Sequence, residues 1–201
     1  SNLGNAMAEL DMPDKAIACY RLALGIRPNS AETAINLGTV LVKTGKNEEA
    51  AVCFQKVLTL QSDHSEALFS MGIVLNNEDR LEESLDYYSK ALANKPLYPA
   101  ALNNMGNVLI KLQRLDEAVT VLSKALEIKP YYVEAHCNLG NALKEQNYTD
   151  EAIASYRQAI SINPNFADAH CNLGVLFKEL GDLNKAMTCF SKALEIKPGY
   201  A

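Results

Sequence analysis

Two His-Cys pairs are the residues of this chain that best suit metal or thiol chemistry. They are His136-Cys137 and His170-Cys171, thirty-four residues apart, and each is followed by Asn. Imidazole and thiolate both bind zinc, and two thiols can form a disulfide. However, adjacent residues of a helix point about 100° apart, so the two members of a pair do not converge on one ion. We therefore predict no metal, cofactor or disulfide here.

A series of Asn residues is the second candidate site. It occupies two positions that lie three residues apart and hence share one face of a helix. An Asn amide carries both a donor and an acceptor, which matches the N–H and C=O of a peptide backbone. We predict that this series binds an extended peptide. Its members are Asn2, Asn36, Asn104, Asn138 and Asn172 at the first position, and Asn5, Asn107 and Asn141 at the second.

Three residues, Ser70, Ile73 and Val175, interrupt this series. Near the break, we expect Ile35, Phe69 and Ile73 to form an apolar groove patch for an anchoring side chain of the ligand, because a few buried anchors dominate binding energy. Two other interpretations stay open. The Asn residues can instead hold the architecture together, and the apolar residues can be ordinary packing.

A sequence repeat of thirty-four residues occurs six times without insertion, and its helices must position these side chains. Each unit has a glycine, then a small residue, an aromatic, a second small residue and a proline at fixed offsets, except that Leu122, Val57 and Ser62 replace one aromatic, one small residue and one proline. Apolar residues recur at three- and four-residue spacing in two segments per unit, which predicts two helices. Proline then ends the second helix. The glycines are Gly4, Gly38, Gly72, Gly106, Gly140 and Gly174.

The recurring glycine lies inside a predicted helix, where it costs about 1 kcal/mol relative to Ala. Because this cost recurs in six repeats, it needs a common cause. The close approach of a neighbouring helix, which a side chain would prevent, is such a cause. The aromatic of each unit fills the space that the small residues leave. Since one helix pair cannot bury its own apolar faces, the units must stack into an all-α repeat array.

These residues and offsets resemble the tetratricopeptide repeat (TPR) family. The resemblance implies a right-handed α-solenoid of stacked antiparallel helix pairs, the TPR superhelix, with the first helices lining a concave groove. We predict a single solenoid over 1–201. Its repeats are 1–30 (truncated), 31–64, 65–98, 99–132, 133–166 and 167–200.

Function is predicted from the groove. We expect a protein-protein interaction scaffold that binds an extended peptide or partner segment. The Asn series also resembles the Asn-lined superhelix of O-linked N-acetylglucosamine transferases, so the alternative is a substrate-recruiting arm of a larger enzyme. A third hypothesis is a self-assembling module. The pattern starts and stops within units, from which we expect a fragment whose uncapped terminal repeats associate end to end.

Composition excludes other classes. The net charge is -5 and there is no block of Lys or Arg, so nucleic acid is not the expected partner. No apolar run reaches the ~18 residues of a membrane span. The five cysteines are an odd number, which favours an intracellular, cytoplasmic or nucleocytoplasmic location over a disulfide framework. The absence of a phosphate loop, a nucleophile elbow and an HExxH motif predicts no enzyme in this stretch.

Overall fold

The computed structural model describes residues 2–199 and divides into two compact units, Ser1–Pro96 and Leu97–Ala201. The division falls two residues before the boundary predicted after residue 98. Over residues 2–199 each unit contains three helix pairs, as the repeats predict, and none of these helices is long and apolar enough to cross a bilayer. A single solenoid over 1–201 remains a prediction.

The described residues of the first unit form six helices in three consecutive pairs. Within each pair the helices are joined by a short turn and pack against each other, and the second helix of a pair also contacts the first helix of the next. The helices are α1 (Asn2–Glu9), α2 (Pro13–Ile26), α3 (Ala31–Lys43), α4 (Asn47–Leu60), α5 (Ser65–Asn77) and α6 (Leu81–Asn94).

The second unit repeats this arrangement. Here α9 also contacts both α7 and α11, so the first helices of the three pairs lie side by side in one layer. The helices are α7 (Pro99–Lys111), α8 (Leu115–Ile128), α9 (Val133–Glu145), α10 (Thr149–Ile162), α11 (Ala167–Glu179) and α12 (Leu183–Ile196).

The glycine of each repeat allows the two helices of a pair to approach. A Cβ atom at Gly140 would lie 2.6 Å from Cε1 of Tyr156, and one at Gly38 would lie 2.5 Å from Cε1 of Phe54. Real Cβ atoms essentially never make such contacts, so any side chain there would displace the ring. The close approach predicted from the glycine spacing is confirmed, and the neighbour is the aromatic sixteen residues further on.

Small and aromatic side chains form the core beside these glycines. Ala152 and Ala159 are fully buried on either side of Tyr156 in the second unit. Ala50 and Phe54 are fully buried in the same way in the first unit. Burying an aromatic or aliphatic side chain of this size stabilises a fold by about 1.5–3 kcal/mol. The repeated pattern therefore places one such side chain in nearly every helix pair.

The turn inside each repeat contains a residue in the left-handed region, seven positions after the glycine. Glycine, Asn and Asp tolerate this conformation best, and only Gln113, with φ of 59°, falls outside that group. This turn position is not among the features predicted from the sequence above. The residues are Asp11, Gly45, Asp79, Gln113, Asn147 and Gly181.

Candidate functional site

The two His residues hold the loops that precede their own helices. His136 Nε2 lies 2.9 Å from the carbonyl oxygen of Pro130, and His170 Nε2 lies 2.9 Å from that of Pro164. Because a carbonyl oxygen only accepts, each imidazole donates this hydrogen bond. Both rings thereby satisfy a carbonyl group of the loop between repeats, and their equivalence follows from the equivalence of the repeats.

The Cys of each pair behaves as a packing residue. Cys137 is buried, and this burial raises the pKa of its thiol to about 12, so the reactive thiolate does not form near neutral pH. All five cysteines are free thiols. Among residues 2–199, no group of three or more His, Cys, Asp or Glu side chains is placed to hold a metal ion.

The predicted Asn positions form a hydrogen-bond network that joins three helices of the second unit. Tyr156 Oη on α10 donates to Asn141 Oδ1 on α9 at 2.8 Å, and Asn172 Nδ2 on α11 donates to the same oxygen at 2.8 Å. Asn172 Nδ2 also lies 3.4 Å from the Cys137 Sγ. One amide oxygen thus links both helices of a repeat to the next repeat.

The first unit contains the same network. Tyr20 Oη donates to Asn5 Oδ1 at 2.8 Å, and Asn36 Nδ2 donates to this oxygen at 3.1 Å. Hydrogen bonds between partly buried groups contribute about 0.5–1.5 kcal/mol each, whereas an unpaired buried partner costs about 1–3 kcal/mol. Both networks support the architectural interpretation of these Asn residues, and they leave only part of each amide for a ligand.

The fourth repeat departs from this pattern. Leu122 stands where the other repeats have an aromatic and carries no hydroxyl, and Asn107 makes no side-chain hydrogen bond within the part of the chain that the structure describes. Asn138 Nδ2 donates instead to Asn103 Oδ1 at 2.9 Å. Asn103 is 6% exposed. Asn103 is not among the predicted residues, although an Asn at a mostly apolar repeat position is a visible signal.

The predicted apolar patch requires a correction. Ile35 is 3% exposed and belongs to the core of the first unit, so it is not available to a ligand. Phe69 and Ile73 are half-buried, and the Phe69 ring lies 5.9 Å from the Tyr88 ring. The patch is therefore reduced to these two neighbouring residues of α5.

A polar cavity of about 350 Å³ lies against the first helices of the second unit. It brings together three of the predicted peptide-binding residues, four residues that were not predicted to bind, and Cys137. The lining residues are Asn103, Glu134, Cys137, Asn138, Asn141, Phe166, Asp168 and Asn172. Of the other predicted Asn residues, Asn2, Asn5 and Asn36 belong to the first unit, and Asn104 and Asn107 lie on α7 outside the lining.

The cavity presents acceptors rather than donors. Among the described residues, its lining has two carboxylates, Glu134 and Asp168, and no cation. After burial, which is the larger effect, these two carboxylates also contribute to the raised pKa of Cys137. Asn138 and Asn172 each use an amide N–H internally, and their oxygens accept no hydrogen bond from the described residues. The arrangement therefore suits ligands that donate hydrogen bonds or carry positive charge.

Comparison with known families finds matches along most of the chain. Family models described as tetratricopeptide repeat or TPR repeat match residues 1–30, 35–99, 106–147, 140–181 and 167–200. No curated protein matches the sequence.

Several solved structures share the fold. YrrB, described as a TPR protein with an unusual peptide-binding site, is 26% identical with a TM-score of 0.67, and the match covers 90% of this chain and 93% of YrrB. PilF of Pseudomonas aeruginosa is 21% identical with a TM-score of 0.82, covering 98% and 90%. MamA (residues 41 to the end) of Desulfovibrio magneticus RS-1 is 24% identical with a TM-score of 0.72, covering 85% and 96%.

Proposed function

Because the chain belongs to the tetratricopeptide repeat family, we propose that it is an interaction scaffold that binds an extended peptide across the first helices of its second unit. The observation that carries this proposal is the polar cavity lined by Asn138, Asn141 and Asn172. The similarity of the chain to YrrB, a TPR protein described as having a peptide-binding site, supports a peptide as the ligand.

Backbone N–H groups of the peptide are expected to donate to the amide oxygens of Asn138 and Asn172. An extended strand rises about 3.3 Å per residue, and helices of neighbouring repeats lie about 8–10 Å apart. The two oxygens therefore meet the peptide about every third residue. Each contact contributes about 0.5–1.5 kcal/mol, against an ordering cost of about 2–5 kcal/mol for the peptide. Backbone contacts alone thus give modest affinity.

A basic side chain of the peptide supplies the remaining affinity. Glu134 and Asp168 attract an ammonium or guanidinium group, and the Phe166 ring offers a cation–π contact. We therefore expect ligands with a Lys or Arg at the residue that enters the cavity. Binding should weaken as salt rises, because both carboxylates are exposed.

The test is selection of a phage-displayed random peptide library on the purified chain, followed by calorimetric titration of a selected peptide. Replacing both carboxylates, by Glu134→Gln with Asp168→Asn, should lower the affinity about tenfold or more. Glu32→Gln with Glu66→Gln, at the same repeat position in the first unit, is the matched control and should change it less than about twofold. Equal losses from both double variants would contradict binding at this cavity.

The other predicted residues extend this proposal. Asn2, Asn5, Asn36, Asn104 and Asn107 remain candidates for further backbone contacts. Phe69 and Ile73 remain the candidate anchor pocket for an apolar side chain of the ligand. Alanine variants of Asn2 and Asn107, which make no side-chain hydrogen bond to the described residues, can test the idea without disturbing the networks.

Self-association is a second candidate function, favoured by exposed apolar side chains on α12. Ile153 and Ile160 of α10 are half-buried, whereas their α12 counterparts, Met187 and Leu194, are exposed. The exposed side chains are Leu183 (64%), Met187 (65%) and Leu194 (47%). Sedimentation velocity should show oligomers that Leu183→Glu with Leu194→Glu dissolves. A wild-type chain that stays monomeric at high concentration would contradict this candidate.

A further inference from the structure

A second cavity, of about 760 Å³, lies among α10, α11 and α12 and takes no part in the proposed peptide site. His170 of α11 lines this cavity, whereas Asn172 lines the polar one. Residues two apart point about 200° apart around a helix. The two cavities therefore lie on opposite faces of α11, so a ligand in one leaves the other accessible.

The walls of this second cavity are largely apolar. Leu173 of α11 is buried in its floor, Ile160 of α10 is half-buried beside it, and Met187 of α12 is 65% exposed. Pockets for small ligands typically have about 300–1,000 Å³, with apolar walls and a few polar groups that orient the ligand. The volume and the walls of this cavity match that description.

Two cations stand among these apolar side chains. Arg157 of α10 makes no hydrogen bond or ion pair with any residue in the described range. Burial raises the pKa of the Cys189 thiol on α12, and the positive charge of Arg157 opposes this rise. The charge of Arg157 therefore acts at the cavity. Lys192 lies 3.1 Å from Glu195 in an exposed pair of one helix turn, which is a weak interaction that a ligand can replace.

We propose that this cavity binds a single-chain anionic amphiphile of the fatty-acid class. The carboxylate meets Arg157 and Lys192, and the alkyl chain covers Ile160, Leu173 and Met187. Hydrogen bonds between a guanidinium group and an ionised carboxylate are about twice as strong as those between neutral groups. Arg157 and Lys192 outnumber the one carboxylate of the lining, Glu195, so the cavity favours an anion over a cation or a neutral lipid.

Decanoate, used below its critical micelle concentration, is the probe, and decanol is its uncharged counterpart. Calorimetry should show decanoate binding about tenfold or more tightly than decanol, with this preference lost in Arg157→Gln. Arg21→Gln is the matched control, because Arg21 occupies the same repeat position on α2 and pairs with Glu49. It should leave decanoate binding unchanged.

Cysteine alkylation locates the ligand independently. Cys189 lines the cavity, and Cys53 occupies the equivalent position in the second repeat, also half-buried and also with a raised pKa. Decanoate should slow iodoacetamide labelling of Cys189 at least about threefold, since alkyl chains exclude water and reagent, and should leave the labelling rate of Cys53 unchanged. Peptide mapping by mass spectrometry reads both rates from one sample.

Several outcomes would overturn the proposal. One is equal affinity for decanoate and decanol, which would indicate a merely apolar surface. Another is equal protection of Cys189 and Cys53. A third is a wild-type chain that binds no decanoate but forms oligomers, if Met187→Glu dissolves those oligomers. This face would then serve contacts between copies of the chain. Peptide binding at the polar cavity is measured separately, so it can fail or succeed independently of this test.

Discussion

In the fifth repeat, Tyr156 donates a hydrogen bond to Asn141, whereas in the third repeat Ile73 holds the position of Asn141 and offers no acceptor. The third repeat has a different bond. Ser84 Oγ donates to the carbonyl oxygen of Gly72 at 2.8 Å, at a position where every other repeat has Ala. The two repeats thus place their polar contacts in different parts of the helix pair.

The packing of these two repeats is nonetheless the same. A Cβ atom at Gly72 would lie 2.5 Å from the ring of Tyr88, and one at Gly140 would lie 2.6 Å from the ring of Tyr156. The glycine–ring contact therefore defines the helix pair, and the polar residues of the first helix vary around it. This separation allows one repeat to present Phe69 and Ile73 and another to present Asn138 and Asn141.

The largest expected effect tests the shared packing. Gly140→Val and Gly72→Val should each lower the free energy of unfolding by about 3 kcal/mol, because the new side chain overpacks the contact with the tyrosine ring. Gly25→Val is the control, since nothing lies within 4 Å of a Cβ atom there, and it should be nearly neutral. Urea denaturation measures all three. A clear difference between the Gly72 and Gly140 variants would show that the two contacts are not equivalent.

The next effect tests the polar difference. Asn141→Ile gives the fifth repeat the residue of the third and removes the acceptor of Tyr156 and Asn172, so it should cost about 2 kcal/mol. Asn107→Ile is the matched control at the same repeat position, where the side chain makes no hydrogen bond to the described residues. It should cost less than about 1 kcal/mol. Equal costs in chemical denaturation would mean that the network adds no stability.

A smaller effect appears with pH. The pKa of Cys137 rises from its ordinary value of 9.0 to about 12 on folding, and its counterpart in the third repeat is Phe69, which does not titrate. The folded state holds the proton more tightly. The contribution of the Cys137 thiol to the free energy of unfolding is therefore intact below pH 9 and is lost as pH rises towards 12. The slope reaches about 1.4 kcal/mol per pH unit.

Urea denaturation at pH 8 and pH 10 measures this slope. Between these two pH values, the free energy of unfolding should fall by about 1 kcal/mol more in the wild type than in Cys137→Ala. The same loss in both proteins would show that the thiol is not responsible.

The smallest effect concerns the bond particular to the third repeat. Ser84→Ala removes the donor to Gly72 but restores the residue of the other repeats, so it should cost about 0.5–1 kcal/mol. The reciprocal change, Ala152→Ser, should be within about 0.5 kcal/mol of neutral, because the introduced hydroxyl can reach the Gly140 carbonyl group. A cost above about 2 kcal/mol for Ser84→Ala would mean that the hydroxyl does more than make one bond.

Much of the fold was predictable because it depends on spacing. The three- and four-residue spacing of apolar residues predicted both helices of a pair, and the recurring glycine predicted their close contact, for example Gly38 with Phe54. The left-handed turn residues were readable in principle, since Asp, Asn and Gly fill five of the six positions. Gln113 is the exception, because no side-chain preference marks it as a left-handed residue.

The site was less predictable because hydrogen-bond partners depend on distances between helices. Sequence spacing placed Asn138 and Asn141 on one helix face, and the cavity does contain both. It did not reveal that Asn138 would donate to Asn103, since that partner lies thirty-five residues away and outside the series. Ile35 was misplaced for a related reason, because a helix with two packed sides leaves only a narrow exposed face.

The constant thirty-four-residue spacing of the glycine–ring contacts has a consequence for how such a chain can change length. Duplication or deletion of one complete unit leaves every remaining glycine opposite its own partner, which is a ring in five repeats and Leu122 in the fourth. Recombination between repeats can therefore lengthen or shorten the chain by whole repeats while the packing within each remaining repeat is kept. A change of another length between a glycine and its partner sixteen residues later would place that partner against a position that already carries a side chain.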